Sequence, residues 1–117
     1  MAKQLLSSYT NPNKRRLHVD IEKDVISTLV NELRGELKGA LENAVEDDWV
    51  EFHLDLRSCR MIDSMGLNWL FTEINLLKHK GKKVIVRISS PAINRIMLFA
   101  GFDKLVILKY RRRKQTR

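Results

Sequence analysis

The segment Met61-Ile62-Asp63-Ser64-Met65-Gly66-Leu67 sets one serine hydroxyl between an acid and a glycine, where two sequence patterns meet. The run before it, Val50-Glu51-Phe52-His53-Leu54-Asp55-Leu56, alternates as a strand does, and the run after it opens a long amphipathic helix. A helix N-terminus presents unpaired N–H groups and a partial positive charge, so a phosphate added to Ser64 would be favourably placed. Two roles fit these residues. Ser64 is either the acceptor of a covalent charge switch or an ordinary helix cap, since Ser and Asp cap helices of every kind.

Other reactive side chains do not assemble into a motif. His18, His53 and His79 are far apart, and none stands beside Cys59 or a carboxylate at metal-ligand spacing, so no metal site is expected. His18 and His53 occupy polar positions of strands, which predicts solvent-facing or edge roles. No Gly-rich phosphate loop is present, and no cofactor is expected. Ser64 lacks the G-x-S-x-G elbow of a hydrolase nucleophile, and Cys59 has no catalytic context. The expectation is a binding protein, not an enzyme.

The charge balance refines this. The net charge of +8 looks like a nucleic-acid signal until it is located. Residues 1–18 carry +4 and residues 105–117 carry +6, neither with an acid, while residues 19–104 hold 12 basic and 14 acidic side chains. A slightly acidic body thus sits between basic ends, which can attract phosphates or anionic lipid without sequence specificity. The absence of interleaved aromatic and basic residues argues against a specific nucleic-acid surface. With 117 residues the chain makes one domain. A single Cys59, no apolar run approaching about 20 residues and no signal-peptide h-region predict a cytoplasmic protein.

Elements follow from periodicity. Residues 1–14 have no sustained pattern and read as a loop or flexible arm, taken as 1–16. Leu17, Val19 and Ile21 alternate as a strand. Ile26, Leu29, Val30, Leu33, Leu37, Ala40, Leu41 and Ala44 predict a helix of about five turns. The strand at 50–56 leads to a second helix from about Ser64 to Lys80, stopped by Gly81. Val84–Ile88 is a strand, Ser90-Pro91 caps a short helix ending at Gly101, and Leu105–Leu108 is a last strand before a basic tail, 111–117. Strands alternating with helices imply a mostly parallel sheet. Because the early strands alternate, helices are expected mainly on one face, with the other partly wet.

The second helix has two apolar sets. Leu67, Leu70, Phe71, Ile74 and Leu77 form the expected core stripe, leaving Met65, Trp69 and Leu76 interleaved with Asn68, Thr72 and Asn75. Either this second set is a protein-binding surface beside Ser64, or Trp69 covers the sheet edge or the first helix.

Leu54-Asp55-Leu56 followed by Ile62-Asp63-Ser64-x-Gly66-Leu67, then Ser90-Pro91 and Gly101-Phe102-Asp103-Lys104-Leu105, resembles a STAS domain, and most closely its anti-sigma factor antagonist branch. The resemblance runs from about Leu17 to Leu108 and implies a single-domain STAS-like α/β fold over 17–110. It implies that the family's phosphorylated serine falls on Ser64. It further implies that the unphosphorylated protein binds an anti-sigma factor Ser kinase, that phosphorylation releases it, and that a metal-dependent Ser phosphatase restores it. The partner-binding residues are then expected to be Asp63, Ser64, Met65, Asn68 and Trp69. Two departures stand out: Met65 replaces a frequent Ser or Thr, and Glu22-Lys23-Asp24-Val25-Ile26 stands where Gly-Glu/Asp-Leu-Asp commonly follows the early strand. The family's first hairpin is poorly visible. The alternative reading is a cytoplasmic accessory subunit of a lipid or anion transporter, in which the basic ends contact the membrane.

Overall fold

Residues 4–112 are described by the structure, a computed structural model; the basic residues Lys3, Arg113, Lys114 and Arg117 of the two expected tails lie outside them. Five strands form one sheet in sequential order: β1 (Leu6–Asn11), β2 (Arg16–Ile21), β3 (Glu51–Asp55), β4 (Lys83–Ile88) and β5 (Ile107–Tyr110). β1 is antiparallel to β2, and every later pairing is parallel. Parallel neighbours need a crossover, supplied by α1 (Val30–Asn43), α2 (Ser64–His79) and α3 (Pro91–Phe99).

Alternation decides the faces. Leu17, Val19 and Ile21 of β2, Phe52 and Leu54 of β3, and Val84, Val86 and Ile88 of β4 share one core with all three helices. The helices contribute Leu33 and Leu37, Trp69, Leu70 and Ile74, and Ile93 and Met97. The mostly parallel α/β sheet with helices on one face is as expected. So are the Ser90 cap, whose Oγ accepts from Ile93 N at 3.3 Å, and the end of α2 at Gly81, with φ +80.

Four expectations are corrected. The stretch read as an arm, 1–16, carries strand β1 over 6–11, so the family's first hairpin is present. Its signal is weak because this edge strand buries only Leu6 of its own residues. It is held by β2 and by the Glu36 carboxylate of α1, which accepts from Leu5 N at 2.9 Å and Leu6 N at 3.0 Å. The first helix begins at Val30 rather than Ile26, because the backbone of Val25 and Ser27 is bonded to the Met61–Asp63 loop instead. The last strand lies at 107–110 rather than 105–108: residues Phe102–Lys104 form a 3-10 turn, and the register pairs Ile85 with Ile107. His53, expected at the surface, is 3% exposed even though it lies on the polar face.

Candidate functional site

The β3–α2 loop and the β2–α1 loop are stitched into one platform. Asp24 Oδ1 accepts from Arg60 N at 2.9 Å and Met61 N at 3.1 Å. Val25 N donates to the Met61 carbonyl at 3.0 Å, and Asp63 N donates back to the Val25 carbonyl at 3.2 Å. The segment that departs from the family's usual pattern therefore forms half of the site's foundation. Cys59 lies buried beneath it, its thiol donating to the Met61 carbonyl and its pKa pushed up by burial, as suits an inert sulfur.

Asp63 is the cap of α2. Its Oδ1 accepts from Gly66 N at 2.8 Å, and its Oδ2 accepts from Ser27 N at 2.7 Å. These donors, Gly66 first, hold its carboxyl below the usual aspartate range. One acid thus satisfies an orphan donor of α2 and ties it to the start of the α1 connection.

That arrangement decides the cap question for Ser64. It is the first residue of α2, not the cap, and is exposed. Its hydroxyl makes no hydrogen bond among the described residues, so it is open to a reagent from solvent. Met65, 60% exposed, and Asn68 lie on the same outer side. Trp69 does not. It is 4% exposed and packed in the core, with its indole nitrogen unpartnered, so the expected surface strip of Met65, Trp69 and Leu76 is broken. Phe71, expected in the core, is 40% exposed instead. The helix is rotated relative to the simple stripe because Gly66 presses against Val25, which turns Trp69 inward toward α1.

Two concavities flank Ser64–Asn68. On the α1 side a small groove of about 170 Å³ is lined by Val30, Arg34, Met65, Asn68 and Trp69. On the α3 side a wider apolar groove of about 650 Å³ is lined by Leu67, Ile96, Leu98 and Phe99, with Arg95 as its charged residue. Phe99 is 97% exposed. The sequence analysis placed α3 correctly but did not single out Leu98 and Phe99. The signal was available in their position beyond the buried stripe of Ile93 and Met97.

No group of His, Cys, Asp and Glu with metal-binding geometry occurs among the described residues, and no helix there is long and apolar enough to cross a membrane.

A sequential sheet with one antiparallel edge, helices on one face, and a capped Asp-Ser turn feeding α2 define a STAS fold. The chain belongs to the STAS domain family, whose model matches residues 14–115. Among solved structures it is similar to a protein described as an anti-sigma factor antagonist from Thermotoga maritima, with 12% identity and a TM-score of 0.73, over 91% of this chain and 86% of that one. It is also similar to an anti-sigma factor antagonist from Mycobacterium paratuberculosis, with 16% identity and a TM-score of 0.70, over 89% and 85%. A third is the Bacillus cell fate determinant SpoIIAA in its phosphorylated form, with 12% identity and a TM-score of 0.62, over 88% and 89%. None of the curated protein sequences matches it.

Proposed function

We propose that the chain is an anti-sigma factor antagonist operating as a phosphorylation-controlled switch, with Ser64 as the modified residue. The observation that carries this reading is the division of labour at the start of α2. Asp63 supplies the cap, which leaves the Ser64 hydroxyl exposed and unengaged, one helical turn before Leu67 of the apolar groove.

In the unphosphorylated state Ser64, Met65 and Asn68, together with Leu67 and Phe99 of the groove, offer a surface of mixed apolar and polar character to an anti-sigma factor Ser kinase. Phosphorylation adds nearly two negative charges at the rim of that surface. The α2 N-terminus tolerates them, because its free N–H groups and dipole favour an anion, so the domain stays folded. A partner surface that must desolvate those charges loses affinity. A metal-dependent phosphatase resets the switch. The protein is cytoplasmic in this reading, and regulation lies in binding.

Mass spectrometry after incubation with ATP and an anti-sigma factor Ser kinase from the same organism tests the site, and calorimetry of the same pair tests the switch. Phosphate is expected on Ser64. Ser64→Ala is expected to bind throughout, and Ser64→Asp to bind at least tenfold more weakly. Phosphate at another residue, or equal affinity of all three forms, overturns the proposal.

A further inference from the structure

The charge of this chain divides within α2. Residues 1–73 hold 9 basic and 13 acidic side chains, whereas residues 74–117 hold 13 basic side chains and one acid, Asp103. Because the sheet runs in sequential order, this division along the chain becomes a division in space. The edge made by β4, α3 and β5 is positive, and the rest of the domain is slightly acidic.

Little of that charge is used inside the fold. Among the described residues from 74 onward only Lys80 makes a salt bridge, with Glu46 at 3.4 Å. Lys82 is committed to structure, its Nζ donating to the Glu46 and Trp49 carbonyls and standing 4.1 Å over the Trp49 ring. Arg87 is engaged with His53 at 2.8 Å. Lys83, Arg95, Lys104 and Lys109 are exposed, and their side chains make no hydrogen bond or ion pair among the described residues. Unpaired cations spread over one edge attract an anionic surface.

The same edge bears the barest large apolar side chain among the described residues. Phe99 is 97% exposed, and its neighbour Leu98 is 47% exposed. Two tight turns lead from them to the lysines: Gly101 N donates to the Leu98 carbonyl at 3.0 Å, and Lys104 N donates to the Gly101 carbonyl at 3.1 Å. Beyond those turns a cleft of about 280 Å³ is lined by Lys78, Lys82, Lys83 and Lys104, with Val84 and Ile107 as apolar walls and no acid. Lys78 joins the cleft to α2 by donating to the Leu105 carbonyl. On the other side of Phe99, Arg95 is the one charged residue lining the apolar groove.

Bare apolar side chains between unpaired cations have the composition of a surface that binds at a membrane interface. The type of cation in the cleft points the same way. A single carboxylate or phosphate is read best by an arginine fork, whereas lysines are point charges on flexible stems that suit a diffuse array of anions. Stacked nucleobases need aromatic rings set among the cations, but Phe99 stands with the aliphatic Leu98 and Ile96.

We propose that the corner where α3 turns into β5 docks on an anionic membrane surface. Phe99 and Leu98 enter the interface, and Lys83, Arg95 and Lys104 meet the acidic headgroups around them. Lys109, Arg111 and Arg112 extend the attracting field along the exposed end of the edge strand. Ser64 stays outside the contact: Lys78 follows it by fourteen residues, about 21 Å along α2. The membrane contact does not depend on the switch. Phe99 also borders the groove assigned above to the kinase, so on that reading membrane-bound and kinase-bound chains are alternative states.

Co-sedimentation of the full chain with unilamellar vesicles tests this. Vesicles of phosphatidylcholine mixed with phosphatidylglycerol are expected to bind it, less tightly as salt rises, and vesicles of phosphatidylcholine alone to leave it in solution. Lys83→Gln paired with Lys104→Gln is expected to weaken binding roughly tenfold or more. Phe99→Ser, at a position with almost no contacts to lose, is expected to weaken it about tenfold while circular dichroism stays unchanged. Phe99→Trp supplies an independent readout: its emission should shift to the blue on the mixed vesicles and be quenched by brominated lipid. Ser64→Ala should bind vesicles as the parent does, so the outcome is separate from that of the phosphorylation test. No binding to the mixed vesicles, equal binding to both kinds, or binding undiminished by Phe99→Ser overturns the proposal. So does tighter binding to a DNA duplex than to the vesicles.

Discussion

Gly66 of α2 lies directly against the backbone of Val25. A methyl group built on Gly66 would stand 2.6 Å from the Val25 carbonyl carbon and closer still to its oxygen. That oxygen already accepts from Asp63 N, so it cannot move aside without opening the platform under Ser64. Gly66→Ala is therefore expected to destabilise the domain by about 1–3 kcal/mol, the usual cost of forcing atoms into a packed site. Gly35→Ala and Gly39→Ala make the opposite case, since nothing lies within 4 Å of either added methyl. Each should stabilise α1 by about 0.5–1 kcal/mol. Urea denaturation of the three variants checks both signs.

Asp63 holds two connections with one carboxylate, and the two are separable by mutation. Asp63→Asn keeps a capping oxygen for Gly66 N but turns an amide NH2 toward Ser27 N, so it should lower the melting temperature slightly through the lost Ser27 bond alone. Asp63→Ala loses both the Gly66 and Ser27 bonds and should lower the melting temperature. Phosphorylation of Ser64 should slow in Asp63→Ala beyond what the thermal change accounts for. Parallel calorimetry and phosphorylation kinetics decide it; unchanged kinetics would assign Asp63 a purely structural role.

Met65 and Trp69 stand one turn apart and should behave oppositely. Trp69 is in the core, so Trp69→Ala should cost about 3–5 kcal/mol. Met65 is mostly exposed, so Met65→Ala should change stability by less than about 0.5 kcal/mol. It should nevertheless weaken kinase binding. Denaturation midpoints and titration calorimetry separate the two roles, and a strong loss of stability in Met65→Ala would contradict its placement.

His53 gives stability a defined pH dependence. Burial holds its pKa below the ordinary 6.5; Arg87 and Arg16 add to this, and the hydrogen bond to Glu51 opposes it. His18 is lowered likewise, by burial and then by His53. With folded pKa values below the unfolded ones, the unfolded chain binds more protons below about pH 6.5, and stability falls as pH drops through that window. Stability is expected to be lower at about pH 5.5 than at about pH 7. His53→Gln should flatten the dependence. Guanidinium titrations at the two pH values measure it, and a parent protein with equal stability at both would show that the imidazoles titrate normally in the fold.

The order of strands and helices was legible in the residues, because periods of two and of three to four report which face of each element is buried. So was the strand-to-helix junction at Ser64, whose Asp-Ser-x-Gly setting is local information. The edge strand β1 was not legible: Leu6-Ser7-Ser8-Tyr9-Thr10-Asn11 alternates too weakly, and it forms because β2 and Glu36 supply its hydrogen bonds from elsewhere. Only the tertiary structure decided that Asp63 rather than Ser64 caps α2, that Trp69 turns inward while Phe71 turns out, and that Asp24 and Val25 underpin the site. Each depends on the β2–α1 loop reaching a helix about 40 residues further along the chain. A helical stripe in sequence names the residues that can be buried. The neighbour pressing on Gly66 sets the rotation that chooses among them.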